Sequence, residues 1–105
     1  MAERKIRDER HKIPNSRGNG QLRRETWEDE RGNITRYNLA YINFQLFSGD
    51  NGRVVGFDNQ HGYHHRHFMG ETMPVEFVSF EELENQFDQE WVLFHKGISR
   101  GAAIS

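Results

Sequence analysis

The chain has 105 residues, of which 34% are apolar, 29% charged and 12% aromatic, with no cysteine and a formal net charge of −2. This length allows one small domain and excludes a two-domain enzyme. The lack of cysteine excludes a disulfide framework and a thiolate metal site, as is typical of a reducing compartment. No apolar run is long enough to span a bilayer, and the chain begins without the apolar stretch of a secretory signal. We therefore expect a cytoplasmic protein with no membrane partner.

The first 24 residues carry eight Lys and Arg against three acids, so this segment has a charge of about +5. It has few bulky apolar residues to offset the entropy of ordering it. We predict a disordered basic arm over residues 1–32, a single domain over 33–97 and a C-terminal tail over 98–105. Such an arm favours contacts with nucleic-acid phosphates. The candidate contacts are Arg4, Lys5, Arg7, Arg10, Lys12, Arg17, Arg23 and Arg24.

Two other interpretations of this basic segment stay open at this point. It is equally typical of a solvated tail that aids solubility, or of a segment that folds only against an acidic partner. Residues 71–90 have the opposite charge, with seven acids and no Lys or Arg. The two ends of the chain therefore carry segments of opposite net charge.

Residues 34–47 (ITRYNLAYINFQLF) are rich in β-branched and aromatic side chains, which predicts a strand. The apolar residues change parity along this segment, so we expect a bulge or short turn near residues 38–42. A turn at 48–52 reverses the chain into a strand at 53–58. Two further strands are predicted at 65–68 and 74–78.

A helix is predicted from Ser79 to about Lys96. Ser79 and Glu82 have the spacing of a capping box, and Val78 with Leu83 suits a hydrophobic staple. An apolar stripe faces a core, and Gly97 is expected to end the helix. The predicted fold class is therefore α+β, a small antiparallel sheet of three to five strands with one C-terminal helix packed on it, preceded by the disordered arm. The stripe comprises Phe80, Leu83, Phe87, Trp91 and Phe94.

The residues best suited to catalysis or metal binding lie in one window, FDNQHGYHHRHF at 57–68, which holds four of the six histidines. If the end of this window is extended, His65 and His67 share one face, and His64 and Arg66 share the other. The candidate catalytic residues are His65, His67, Arg66, Asp58, His61, His64 and Tyr63.

Three kinds of site are compatible with this window. A histidine pair can act as base and acid when a ribose 2′-OH attacks its own phosphate, with Arg66 stabilising the charge and Asp58 orienting an imidazole. The imidazoles and carboxylate also suit a zinc site, although Arg66 would oppose a cation. The third interpretation is a polar hairpin without chemistry. We favour the first, which needs no metal and no cofactor.

The run from Arg53 to Asn59 (RVVGFDN), followed by His61-Gly62 and by HHRH at 64–67, resembles the TumE family of small toxin–antitoxin proteins. The resemblance covers about residues 33–95 and matches the family motif at Asp58, His61, His65 and His67. It implies a growth-inhibiting toxin whose partner is a cognate antitoxin, commonly a small helix-turn-helix DNA-binding protein. The stretch between the D-N turn and the H-x-H pair is shorter here than in the family pattern.

The first functional hypothesis is therefore a toxin that acts as a metal-independent endoribonuclease, with RNA as its substrate. His65 and His67 would be the base and acid. The alternative is a non-catalytic module that binds nucleic acid or protein through the basic arm and the His-rich hairpin. The sequence leaves a homodimer open.

Overall fold

The computed structural model describes residues 2–14, 16 and 19–100, except for the side chains at 61 and 94–100. These residues form a sheet of strands in the order β1-β2-β3-β4-β5-β6, each antiparallel to the next, followed by a helix. The elements are β1 (Arg4–Lys12), β2 (Gln21–Glu28), β3 (Ile34–Ile42), β4 (Arg53–Asp58), β5 (His65–Phe68), β6 (Glu71–Pro74) and α1 (Phe80–Arg100). The α+β class is confirmed, but the sheet has six strands rather than three to five. Over the described residues, no helix has the length and apolar character needed to cross a membrane.

The additional strands lie in the segment predicted to be a disordered basic arm, so that prediction is wrong for residues 4–12 and 21–28. The hairpin of β1 and β2 is held to α1 by charge. Arg7 and Arg24 both form ion pairs with Glu84 of α1, at 2.8 and 3.0 Å. Because these contacts join residues far apart in the chain, local composition does not reveal them.

The predicted strands in the middle of the chain are present, some with shifted ends. β4 and β5 have the predicted bounds, whereas β3 ends at Ile42 and β6 spans Glu71–Pro74 rather than 74–78. The pairing of β3 with β4 shifts register between Tyr41 and Ile42, within the predicted region, but the extra residue of this bulge is Val54 of β4 and β3 itself keeps its alternation. Such a shift changes which face of the sheet the following residues present.

The predicted start of the helix is confirmed, and its predicted end is wrong. Oγ of Ser79 accepts a hydrogen bond from the backbone N–H of Glu82 at 3.1 Å, as in an N-cap. Val78 is 70% exposed and does not form the predicted staple. The helix continues past Gly97 to Arg100, because a glycine costs only about 1 kcal/mol in a helix interior. Residues 101–105 of the predicted tail lie outside the described residues, as does the side chain at 94.

The hydrophobic core lies between α1 and one face of the sheet. Phe87 of α1 is fully buried and meets the ring of Phe57 edge-on, with centroids 6.5 Å apart, and Trp91 packs near Tyr41. Because side chains alternate along a strand, the residue after Phe57 faces away from the helix. We call this second side the open face. It carries Arg23, Glu25, Asn38, Ala40, Gly56, Asp58, His65 and His67.

Candidate active site

A carboxylate at the end of β4 holds two imidazoles on the open face. Asp58 is 5% exposed, and its two oxygens accept hydrogen bonds from Nδ1 of His65 at 3.1 Å and Nε2 of His67 at 2.9 Å. Strand pairing positions these groups, because His65 lies opposite Asp58 and His67 lies opposite Gly56. The predicted common face of His65 and His67 is therefore confirmed.

The surroundings of Asp58 keep its carboxyl group ionised. Burial acts to raise the pKa of Asp58, but the charge of His67 and hydrogen bonds from the Gln60 amide and His65 outweigh it, so the pKa lies below the ordinary value of 3.8. An ionised carboxylate can only accept hydrogen bonds. The ring nitrogens that face Asp58 therefore carry the protons.

This protonation pattern leaves Nδ1 as the basic nitrogen of neutral His67. The hydroxyl of Thr72 lies 3.3 Å from that nitrogen and donates to it, at the outer strand β6. Burial lowers the pKa of His67 below its ordinary value of 6.5, the charge of Arg53 lowers it further, and Asp58 opposes both. His67 is thus a neutral, oriented imidazole near physiological pH, which is the state that a general base requires.

Arg53 belongs to this cluster and was not among the predicted site residues. Its Nη1 donates to Oδ2 of Asp58 at 3.2 Å. Counting alternate residues from Asp58 would place Arg53 on the helix face, but the register shift near the start of β4 changes its direction. The arginine side chain then crosses Gly56, where a Cβ atom would lie 2.9 Å from its Cδ. The only local signal for this contact is the glycine in an otherwise bulky strand.

Two predicted site residues lie on the opposite face of the sheet. Nε of Arg66 donates to Oε1 of Glu90 in α1 at 2.9 Å. His64 shares a hydrogen bond of 2.7 Å with the Tyr37 hydroxyl and stacks on Phe77 with ring centroids 4.0 Å apart. This confirms that His64 and Arg66 face away from His65 and His67. It also removes Arg66 from the position that the predicted phosphate-stabilising role requires.

Tyr63 borders the cluster from the solvent side. It is 51% exposed, and its ring centroid lies 3.9 Å from that of His65. Tyr63 therefore covers the more buried of the two imidazoles. The side chain of His61, also a predicted site residue, lies outside the described residues.

The basic residues predicted to contact nucleic acid are largely engaged within the chain. Arg10 and Lys12 are exposed and form no ion pair in the part of the chain that the structure describes. Arg17 lies outside that part. The cations that form ion pairs are Arg4, Lys5, Arg7, Arg23 and Arg24.

The same cluster offers ligands of the kind that transition metals use. One donor atom each from Asp58, His65 and His67 lie within 4.8 Å of one another. Two imidazoles and a carboxylate suit zinc or non-haem iron. To bind a metal, the nitrogens that now face Asp58 would have to lose their protons, and the guanidinium of Arg53 would oppose the added charge.

Comparison with other proteins adds no further evidence, since no protein-family model, characterised protein or solved structure matches the chain. The resemblance to the TumE family therefore stays a prediction. The cluster around Asp58 is the feature of the chain that suggests a function.

Proposed function

We propose that this protein is the toxin of a toxin–antitoxin pair and that it cleaves RNA without a metal ion. The observation that carries the proposal is the carboxylate of Asp58, which accepts hydrogen bonds from both His65 and His67. A carboxylate that fixes the tautomer and direction of an imidazole is the arrangement that general acid–base catalysis uses. Here two imidazoles share one such carboxylate.

The chemistry follows from the accessibility of the two rings. His67 is the more exposed, with 12% of its side chain accessible, so its Nδ1 takes the proton of a ribose 2′-OH. The 2′-oxygen then attacks phosphorus, the bond from phosphorus to the 5′-oxygen breaks, and a 2′,3′-cyclic phosphate forms. His65 enters the step as an imidazolium with its Nδ1–H held by Asp58, and it gives the proton on Nε2 to the departing 5′-oxygen. Its ring centroid lies 5.7 Å from that of His67, and the exposed Tyr63 ring that covers His65 has to turn aside for both imidazoles to face one phosphodiester.

Charge that develops on the phosphate needs a fixed cation nearby. Arg53 takes the role that the sequence suggested for Arg66, because it is the guanidinium that contacts Asp58. The toxin assignment itself is supported by the motif at Asp58, His65 and His67 and by the family resemblance of the chain. That resemblance makes a helix-turn-helix antitoxin the proposed partner.

Inducible expression in bacteria tests the proposal directly. Wild-type protein should arrest growth and fragment RNA, and His67→Ala should reduce cleavage by about a hundredfold or more, since it removes the general base. The matched control is His11→Ala, which removes a histidine from the exposed strand β1. Full toxicity of His67→Ala would show that the site is assigned wrongly. Normal growth and intact RNA with folded wild-type protein would contradict the function and favour the non-catalytic binding module.

A metal-dependent hydrolase is the second candidate function. It is favoured by the convergence of donor atoms from Asp58, His65 and His67 within 4.8 Å. A bound Zn²⁺ would supply an activated water in place of the histidine base. Elemental analysis of untagged protein separates the two candidates, since stoichiometric metal is expected only for this one.

A further inference from the structure

The open face holds a small pocket that the proposed catalytic cluster does not use. It has a volume of about 180 Å³ and lies between Arg23 of β2 and Arg53 of β4, with Ala40 among its lining residues. Strand pairing places Arg23, Ala40, Gly56 and His67 in one row across four strands. The pocket and His67 therefore lie on the same face of the sheet, with the Arg53 side chain over Gly56 between them.

The guanidinium of Arg23 has hydrogen-bonding capacity left beside this pocket. Its Nη2 donates to Glu25 at 3.2 Å, whereas its Nε is buried and has no hydrogen-bond partner among the residues that the structure describes. Leaving a charged donor buried and unpaired is unfavourable. A change of the Arg23 rotamer that turns Nε toward an acceptor oxygen of a ligand in the pocket would remove that penalty.

A second arginine stands opposite Arg23 on the same face. Arg10 of β1 is its cross-strand partner, and Arg10 forms no ion pair within the described part of the chain. Like charges directly opposite each other destabilise a sheet. Arg10 and Arg23 therefore form a pair of cations that an anion between them would stabilise.

The acids around the pocket share their cations. Asp50 lines the pocket, and Arg53 holds both of its oxygens, at 2.8 and 3.2 Å. Glu25 receives a shorter ion pair from Lys5, at 2.7 Å, than from Arg23. Lys5 also pairs with Asp8 and Arg53 with Asp58, so the cation of this group that forms no ion pair within the described part of the chain is Arg10.

We propose that this pocket binds a phosphate group of a single RNA strand that lies across the open face. A strand held there would run along the row from Arg23 toward His67, over the side chain of Arg53. The inference rests on the proposed RNA cleavage for the identity of the strand. The phosphate contact itself rests on Arg23, which lines the pocket, and on Arg10 opposite it in the sheet.

Binding of a strand that cannot be cleaved tests the pocket separately from catalysis. The probe is a fluorescently labelled all-deoxy oligonucleotide of about 12 nucleotides, within the range of single-strand binding sites. Arg23→Gln should weaken binding by about tenfold at low salt and reduce the slope of log affinity against log salt by about 0.7, the value of one lost phosphate contact. Arg23→Lys keeps the charge but loses the planar guanidinium group, so its affinity for the oligonucleotide should lie between those of wild type and Arg23→Gln.

The matched control is Arg31→Gln, which removes the same charge from the turn between β2 and β3, away from the pocket. Equal weakening by Arg23→Gln and Arg31→Gln, or no binding by wild type, would overturn the inference. Stabilisation of wild type by inorganic phosphate, with oligonucleotide binding independent of Arg23, would assign the pocket to free phosphate and overturn it as well. If Arg23→Gln alone weakens binding but wild type cuts no RNA, the pocket stands and the cleavage proposal fails.

Discussion

Nε2 of His67 donates to Oδ2 of Asp58 at 2.9 Å, although these two residues are not opposite each other in the sheet. The residue opposite His67 is Gly56, which presents no side chain on the open face. The imidazole therefore reaches diagonally to the carboxylate, and Arg53 crosses the same glycine to reach it from the other side. One missing side chain thus makes room for two contacts to Asp58.

This arrangement predicts that Gly56→Ala destabilises the protein. A Cβ at this position would lie 2.6 Å from the carbonyl oxygen of Leu39 and 2.9 Å from Cδ of Arg53. We expect a loss of about 1–3 kcal/mol in the free energy of unfolding, as for other overpacked sites. Urea unfolding measures it. Arg53→Ala itself loses the ion pairs with Asp50 and Asp58, so the double variant is compared with Arg53→Ala, and in that background Gly56→Ala should cost less but still destabilise because the clash with the backbone carbonyl remains. A Gly56→Ala protein as stable as wild type would contradict the prediction.

Removal of metal ions should leave RNA cleavage unchanged. In the proposed mechanism the protons move between the substrate and two imidazoles, so no step needs a cation. The measurement is cleavage of a labelled RNA before and after dialysis against EDTA. Activity that disappears on chelation and returns with Zn²⁺ would contradict the metal-free mechanism and support the second candidate, with Asp58, His65 and His67 as ligands.

Glu84→Gln should loosen the N-terminal hairpin from the helix. Glu84 is the shared partner of Arg7 and Arg24, and all three side chains are at least 70% buried. Without Glu84, Arg7 keeps only its ion pair with Glu9 and Arg24 only its ion pair with Asp88, so we expect a loss of about 1–2 kcal/mol in stability. Hydrogen exchange of the β1 amides should also accelerate.

The control for this variant is Glu81→Gln on the exposed side of the first turn of α1. It loses only a favourable interaction with the helix dipole, worth about 0.3–1 kcal/mol. Equal effects of the two variants on stability and exchange would show that the ion pairs with Arg7 and Arg24 contribute little.

Stability should decrease as the pH falls below about 6.5, the ordinary pKa of histidine. Burial is the main cause that lowers the pKa of both His64 and His67 in the folded protein. The unfolded chain therefore binds more protons in this range, and the free energy of unfolding rises with pH. Stability is complete above the unfolded pKa and is lost as the pH falls through the lower folded values.

Urea unfolding at several pH values checks this dependence, and His64→Gln should flatten it because one titrating ring is removed. His64 lies away from Asp58, so the variant separates its contribution from that of the candidate site. A free energy of unfolding that rises on acidification over this range would contradict the prediction.

Features that depend on neighbours in the chain were predicted correctly. The cap at Ser79 and the bounds of β4 and β5 follow from short patterns of turn, polar and apolar residues. The common face of His65 and His67 follows from the two-residue period of a strand. These properties are determined within a few residues, so the sequence by itself was sufficient for them.

The remaining features depend on contacts between distant segments. The basic segment forms two strands because its arginines meet Glu84 of the acidic helix, so the acidic partner of that segment is part of the same chain. Arg53 joins the candidate site and Arg66 leaves it because register and a shift in pairing decide which face each side chain reaches. Only the tertiary structure decides such pairings, since ion pairs and strand register join residues whose separation along the chain carries no local signal.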